Sequence, residues 1–251
     1  MIIIKKGRVK RTVQKAVKQY CLIVFLIFLA LLPGNTPVAS AGSSHRTVTD
    51  VLRNIGPKAE GRLKAFFDKA GTEYPPSSLT LIGLKEEMEL ELWTRQNGRW
   101  VYVHTYEILA ASGDAGPKRK RGDRQVPEGI YRIICLNPNS RYHLSMKVDY
   151  PNSFDLEKAR QDRRANPGGD IYIHGRAKSD GCIAIGDTAI EELFTLMSRV
   201  GMENAKVIIL PRDIRRDRNY HFRQTDPAWL PELYDRLRRE VADYPPEKAR
   251  L

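Results

Sequence analysis

His174 and Cys182 are the two side chains of this sequence whose types and spacing could carry out nucleophilic chemistry. They lie eight positions apart in the segment IYIHGRAKSDGCIAIGD, where the apolar residues on either side predict two short strands. The loop Gly175–Gly181, which begins and ends with glycine, joins these strands. We expect an antiparallel hairpin, in which opposed residues have Cβ atoms about 4.5–5.5 Å apart. The imidazole and the thiol would then be within reach of each other.

A thiol needs a neighbouring base, because at an ordinary pKa of about 8.5 only a few per cent of it is ionised near pH 7. A histidine can accept the thiol proton and later return it to a leaving amine. The backbone N–H groups of Gly181 and Cys182 could stabilise the oxyanion of an acyl-transfer intermediate. Tyr172 is expected on the strand face of His174, where it would line the cleft. The pattern therefore predicts a cysteine nucleophile for acyl transfer.

Other interpretations of the same residues stay open on spacing alone. Cys182 could be a core cysteine, or it could form a disulfide with Cys135, which lies in a strand pattern and is predicted to be buried. A metal site is disfavoured because no second histidine or cysteine lies at ligand spacing around the pair. The sequence accordingly predicts neither a metal nor a cofactor. A non-catalytic binding module is the alternative to an enzyme.

The N-terminal segment 1–41 has the pattern of an export signal. Residues 1–20 hold seven basic side chains and no acidic one, an apolar run follows at 21–32, and Ala39-Ser40-Ala41 fits a cleavage site. The apolar run is shorter than the roughly 20 residues that a membrane-spanning helix needs. We therefore predict a cleaved signal peptide, with an uncleaved signal anchor as the alternative. The protein is expected in the periplasm, either free or anchored to the inner membrane.

The net charge of the chain depends strongly on this segment. The 251 residues include 42 Lys and Arg against 30 Asp and Glu, which gives a formal charge of +12. Without residues 1–41, 35 basic and 30 acidic residues remain and the charge falls to +5. Because no arginine-rich arm, zinc finger or aromatic RNA-binding motif is present, nucleic acid is not an expected partner. A mildly basic exported domain suits an anionic polymer of the cell envelope.

The elements that must position the pair are mostly strands. Asn97-Gly98 between alternating apolar residues predicts a hairpin. Helical spacing of apolar residues is found at 57–70 and from Thr188 to Val200, and Asp226-Pro227 precedes a further helical pattern. The expected fold class is α+β, mainly β with short helices. Further strands are predicted at 129–136, 142–148 and 206–210.

The same patterns divide the chain after the export signal into three parts. Residues 42–79 form a helical extension and linker, residues 80–211 form the catalytic domain, and residues 212–251 form a charged tail with one helix.

The middle part resembles the L,D-transpeptidase (YkuD-domain) family, and within it the branch that contains the murein L,D-transpeptidase YafK. The resemblance covers roughly residues 80–211. Its central motif here consists of Ile171, Ile173, His174, Gly175, Ser179, Gly181, Cys182, Ala184 and Asp187. Further matches follow in order at Ser112-Gly113, Gly116-Pro117-Lys118, Gly122-Asp123, Pro127–Tyr131, Asn137-Pro138 and Tyr150-Pro151-Asn152.

The resemblance implies a β-sandwich-like catalytic domain that acts on the stem peptides of peptidoglycan. Cys182 would attack the carbonyl of the L-configured centre of meso-diaminopimelate, and an amine acceptor or water would resolve the resulting thioester. His174 would be the base, with its other ring nitrogen held by a backbone carbonyl near Gly175. Ser179 and Gly181 would shape the oxyanion loop. Hydrolysis, which would trim stem peptides or release a wall-linked lipoprotein, is the alternative to transfer.

Two positions depart from the family pattern. Asp180 stands where many members have a histidine, so this residue cannot be a required base here. Ala184 stands where many members have an arginine, two residues after the cysteine. The second departure removes a carboxylate clamp. Arg176, Lys178 or the basic residues of 157–164 could replace it.

Overall fold

The structure is a computed structural model that describes residues 45–216 and 222–246. The predicted export signal, residues 1–41, lies outside the described residues. Within them, no helix is long and apolar enough to cross a membrane. The helices are α1 (Val48–Ala70), α2 (Ser153–Gln161), α3 (Asp187–Val200) and α4 (Leu230–Val241). The strands are β1 (Leu79–Leu84), β2 (Glu89–Gln96), β3 (Arg99–Glu107), β4 (Ala110–Ala111), β5 (Gly129–Tyr131), β6 (Ile133–Asn137), β7 (Ser145–Val148), β8 (Tyr172–His174), β9 (Ile183–Ala184) and β10 (Ala205–Leu210).

These strands form two mixed sheets of five strands each. The first has the order β3-β2-β1-β10-β5 and the second the order β4-β9-β8-β7-β6. Only β1 with β10 and β8 with β9 pair in parallel among the described strands. The α+β class predicted from the sequence is confirmed, although α1 is longer than the short helices expected. The second sheet carries both segments of the candidate site.

Three strand predictions fit the structure to different degrees. The hairpin of β2 and β3 turns at Asn97 and Gly98, whose φ angles of 51° and 79° suit a two-residue turn with the twist of the strands. The strand predicted at 129–136 is broken at Arg132, because β5 joins the first sheet and β6 joins the second. The strand predicted at 142–148 is shortened to β7, since His143 has a φ of 70°.

Helix α1 begins earlier than the helical spacing at 57–70 predicts. Thr47 caps it: the Thr47 side chain accepts a hydrogen bond from the Asp50 N–H, and the Asp50 carboxylate accepts one from the Thr47 N–H. Pro57 therefore lies inside the helix, where it removes one backbone hydrogen bond. Burial of apolar side chains such as Leu63 and Phe67 in the main core offsets this cost.

The C-terminal segment covers the outer face of the first sheet. Helix α4 buries Leu233, Tyr234 and Leu237 in a second apolar cluster, together with side chains of β1, β2 and β10. On this covered face the Glu91 carboxylate accepts hydrogen bonds from Nη1 and Nη2 of Arg215, each at 2.9 Å. The first sheet is therefore buried on both faces, and the candidate site lies on the other sheet.

Candidate active site

The candidate nucleophile and base are placed by β8 and β9, but not as the sequence predicted. The two strands run parallel, with Ile173 beside Ile183 and His174 beside Ala184, so the expected antiparallel hairpin is wrong. The chain reverses within the connecting loop, where Arg176 and Gly181 have φ angles of 59° and 102°. Because of this reversal, β9 lies beside β8 and runs in the same direction.

The parallel register still brings the chemical groups to one face of the sheet. When this register is extended by one residue toward the N-terminus, Cys182 lies beside Tyr172. Side chains alternate between the two faces along each strand. Tyr172, His174 and Cys182 therefore share a strand face. Tyr172 also contacts the thiol through its backbone, whose hydrogen bond acts to lower the pKa of Cys182.

His174 is held as a neutral imidazole with a defined tautomer. Its side chain is 2% exposed and stacks on Tyr142, with ring centroids 4.4 Å apart. Its Nδ1 lies 2.6 Å from the Gly175 carbonyl oxygen. A carbonyl can only accept, so Nδ1 carries the proton and Nε2 is left as the acceptor. Burial lowers the pKa of His174, and the hydrogen bond to Gly175 acts in the opposite direction.

Cys182 is held as a neutral thiol beside this histidine. Burial raises the pKa of the Cys182 thiol, and the charges of Asp180 and Asp170 act in the same direction, whereas the positive charge of Lys118 acts against them. Its Sγ donates to the Asp170 carbonyl oxygen at 3.7 Å. Proton transfer to Nε2 of His174 therefore requires the thiol to leave this carbonyl. In structures without substrate, hydrogen bonds between catalytic groups are often long or absent, and they form when the substrate binds.

The raised pKa of Cys182 predicts how its reactivity varies with pH. We expect the rate of alkylation by iodoacetamide to rise steadily from pH 7 to pH 9, because the thiolate fraction still grows throughout this range. Mass spectrometry of the alkylated peptide measures this rate residue by residue. A plateau already at pH 7 would indicate a thiolate–imidazolium pair at rest and would contradict this account. The exposed Cys135 serves as the internal control.

Two serine hydroxyls hold the backbone around the nucleophile. Ser179 Oγ donates to the Cys182 carbonyl at 2.6 Å and accepts from the Cys182 N–H at 3.1 Å. Ser112 Oγ, from the segment after β4, accepts from the Gly181 N–H at 2.6 Å. Both N–H groups that the sequence assigned to an oxyanion hole are thus occupied in this structure. The sequence offered no physical signal for the contact of Ser112, which lies 69 positions from Gly181.

Gly175 is fixed by close packing. A Cβ atom there would lie 2.6 Å from Oδ1 of Asp187 and 2.7 Å from the carbonyl oxygen of Tyr142. We expect Gly175→Ala to lower the free energy of unfolding by about 1–3 kcal/mol, because the backbone must move to relieve the overlap. Urea denaturation followed by circular dichroism measures this change. Gly61→Ala on α1 is the matched control: its Cβ would meet nothing within 4 Å, and stability should stay equal or increase. Equal effects of the two variants would contradict this interpretation.

The remaining polar residues predicted for the site, Arg176, Lys178 and Asp180, are exposed, and of these Asp180 acts on the thiol through its charge. Asp180 pairs with Arg124 at 3.1 Å, and both side chains are 76% exposed. The backbone N–H of Arg176 donates to Oδ1 of Asp187 at the start of α3, and its own side chain is exposed. The cavity next to the thiol is lined neither by Arg176, nor by Lys178, nor by any residue of 157–164.

The two cysteines of the described residues are both free. Cys135 is exposed on β6, so its predicted place in the core is wrong, and it forms no disulfide with Cys182. Strand β6 lies at the edge of its sheet, which leaves this side chain uncovered. Across residues 45–216 and 222–246, no group of three or more His, Cys, Asp or Glu side chains is placed to hold a metal ion.

Comparison with known families decides which kind of domain this is. The family model of the YkuD L,D-transpeptidase catalytic domain matches residues 81–209, just over half of the chain. The chain belongs to the L,D-transpeptidase family. Both His174 and Cys182 lie inside the matched range, as do both sheets apart from the first two residues of β1 and the last residue of β10.

Relatives of this chain are found among bacterial proteins. YafK of Escherichia coli K12, whose name assigns it provisionally to the L,D-transpeptidases, is 31% identical over 132 residues. The match covers 51% of this chain and 51% of YafK, so the chain spans about half the length of the curated relatives it matches. The same identity is found for YafK of Escherichia coli O157:H7.

Solved structures also resemble this chain at lower identity, among them two bacterial proteins. One is the helical cell shape determining protein Pgp2 of Campylobacter jejuni, 20% identical with a TM-score of 0.45, which covers 60% of this chain and 55% of Pgp2. The other is Bd1075 of Bdellovibrio bacteriovorus, 18% identical with a TM-score of 0.41, which covers 68% of this chain and 56% of Bd1075.

Proposed function

We propose that this L,D-transpeptidase domain transfers acyl groups at the meso-diaminopimelate carbonyl of peptidoglycan stem peptides, through a thioester on Cys182. The arrangement that carries the proposal is a buried neutral imidazole on the strand face of a half-buried thiol. The tautomer of His174, fixed by Gly175, leaves Nε2 as the proton acceptor. Membership of the L,D-transpeptidase family supports this substrate class.

The first half-reaction forms the thioester and releases an amine. The Sγ–H proton of Cys182 passes to Nε2 of His174, and Sγ bonds to the scissile carbonyl carbon while the π electrons move to oxygen. When the oxyanion collapses, the C–N bond breaks, and the imidazolium of His174 returns the proton to the leaving nitrogen. The N–H groups of Gly181 and Cys182 stabilise the oxyanion when its oxygen replaces the two serine hydroxyls that they bind at rest.

The second half-reaction uses the same groups in reverse. An acceptor amine loses a proton to Nε2 of His174 and attacks the thioester carbonyl. The C–S bond then breaks, and the Cys182 thiolate takes the proton back. Water in place of the amine gives hydrolysis through the same intermediate, which would trim stem peptides or free a protein linked to the wall.

This reaction requires the domain to meet the cell wall. We therefore place it in the periplasm, exported by residues 1–41, with stem peptides as its substrate and partner. A wall-linked lipoprotein is a partner if its amine is the leaving group of the first half-reaction or the acceptor of the second.

Incubation with purified muropeptides tests this proposal. The chain is mixed with disaccharide tetrapeptides, and the products are separated and weighed by mass spectrometry. We expect dimers joined between two diaminopimelate residues, with release of the terminal residue, and none of these products from Cys182→Ala. Trimmed monomers without dimers would show that the chain catalyses hydrolysis and not transfer. No product from the folded wild-type chain, with a Cys182 that does not react, would support the non-catalytic binding module instead.

A further inference from the structure

A small cavity with a cationic wall adjoins the nucleophile. Its volume is about 270 Å³, slightly below the range of pockets that enclose a whole ligand, so it has room for one group of a substrate rather than a peptide. Asp170, whose carbonyl accepts the Cys182 Sγ–H, forms part of its wall. Cys182 does not itself line the cavity, but Asp170 separates the two, so the cavity lies within reach of a substrate attacked by Cys182.

The cations of this wall come from one loop. Lys118, Arg121 and Arg124 all line the cavity, and they belong to the segment between β4 and β5. This loop packs tightly against the opposite wall: a Cβ atom on Gly168 would lie 3.0 Å from Cε of Lys118 and 3.2 Å from Cα of Arg121. The Arg121 N–H also donates to the Asn166 carbonyl at 3.2 Å. The position of the loop relative to the thiol is thus fixed by backbone contacts.

The ion pairs of the wall leave positive charge available. Lys118 is buried and forms an ion pair with Asp123, in which Nζ and Oδ1 are 2.5 Å apart. The Asp170 carboxylate is paired with Lys147 at 2.8 Å. Arg121 forms no ion pair within 4.0 Å with any residue of 45–216 or 222–246, although its charge helps to lower the pKa of the Asp170 carboxyl in the same wall.

The second arginine of the wall has a partner that can be exchanged. Arg124 pairs with Asp180, but both side chains are 76% exposed, and such surface pairs contribute little stability. A carboxylate entering the cavity can therefore bind Arg121 directly and draw Arg124 from Asp180. A guanidinium suits a carboxylate because its planar N–H groups can donate two parallel hydrogen bonds.

We propose that this cavity binds the free carboxylate of the residue on the leaving side of the scissile amide, and that Arg121 is its main ligand. The proposal rests on the proposed function. The carboxylate of a leaving amino acid is separated from the scissile nitrogen by a single carbon, which matches a cavity that begins at the hydrogen-bond partner of the nucleophile. A carboxylate at the far end of a diaminopimelate side chain lies several bonds further away.

Paired substrates test this assignment. The wild-type chain is given a stem-peptide donor whose terminal residue carries either a free carboxylate or a carboxamide, and kcat/KM is measured for both. We expect the carboxylate donor to be preferred about 10- to 100-fold, the scale of one charge-assisted hydrogen bond. In Arg121→Gln this preference should disappear, because kcat/KM falls for the carboxylate donor alone. Arg124→Gln should reduce it less, and Arg53→Gln, an exposed arginine on α1, should leave it unchanged. An equal preference in the wild type and Arg121→Gln would overturn the proposal.

A second measurement separates this site from the proposed function. N-acetylalanine, or its amide, is added during alkylation of Cys182 by iodoacetamide, a reaction that needs no turnover. Slower alkylation with the acid but not the amide in the wild type, lost in Arg121→Gln, supports the carboxylate site even if no muropeptide is processed. Equal protection by acid and amide, or none by either, overturns the site whatever the outcome with muropeptides.

Discussion

Cys182→Ala is expected to lower kcat/KM on muropeptides by roughly 10⁴-fold or more, the scale on which removal of a nucleophile acts in hydrolases. Ser145 of β7 also lies beside His174, but it is buried, whereas Cys182 is partly exposed and open to a substrate. Cys182→Ser is expected to be similarly inactive, because a hydroxyl is a far weaker acid than a thiol and His174 cannot ionise it to the same extent. The measurement is the rate of product formation from a disaccharide tetrapeptide.

The matched control for this prediction is the second free cysteine. Cys135→Ala removes an exposed thiol on the edge strand β6, so the activity and the stability of the protein should both stay close to those of the wild type. Circular dichroism of Cys182→Ala verifies that the fold is retained, since its side chain is only partly buried and a small residue replaces it. Substantial turnover by Cys182→Ala would show that another group performs the attack.

His174→Gln is expected to lower kcat by about 10²- to 10⁴-fold, the range that general acid–base catalysis contributes. Glutamine keeps a donor for the Gly175 carbonyl but cannot accept and return a proton. Alkylation of Cys182 in the variant should persist, because its thiol is neutral at rest and does not depend on an ion pair with His174. A loss of turnover with retained alkylation separates proton transfer from a damaged fold.

The pH dependence of the wild type follows from the same histidine. Burial lowers the pKa of His174, so the basic form persists to lower pH than for an exposed histidine. The acidic limb of kcat/KM should therefore lie below pH 6.5, the ordinary pKa of the side chain. His143→Gln is the control: His143 pairs with Glu191 of α3 at 2.9 Å and has no contact with the thiol, so the limb should not move. An acidic limb well above pH 6.5, or the same loss of activity in both variants, would contradict the assigned base.

Local patterns predicted those parts of the fold that local chemistry determines. Asn97-Gly98 fixes the turn between β2 and β3 because both positions need positive φ. The apolar stripe and the glycine that follows it locate the end of α3. The spacing of apolar residues predicts α1 only from residue 57 onward, whereas the capping residues Thr47 and Asp50 start the helix further upstream.

Such local patterns do not predict how segments distant in the sequence pair with each other. Parallel and antiparallel partners of β8 have the same alternation of side chains, so the sequence could place His174 and Cys182 on one face without giving the direction of β9. The partner of the Gly181 N–H is set by the approach of the segment that holds Ser112, and the cations near the thiol come from a loop more than fifty residues upstream. The sequence pointed to Arg176 and Lys178 because they are close in the chain. The cavity beside the thiol is lined by Arg121 instead.

The most direct test of this account is the mass of the protein during turnover. The wild-type chain is mixed with a disaccharide tetrapeptide, quenched in acid within seconds, and weighed intact, and the modified peptide is then mapped by fragmentation. We predict an added mass equal to the mass of the donor minus that of the released amino acid, attached to Cys182 as a hydroxylamine-sensitive thioester and absent from Cys182→Ala. Product formation with no adduct on Cys182, or an adduct on any other residue, would contradict the central claim.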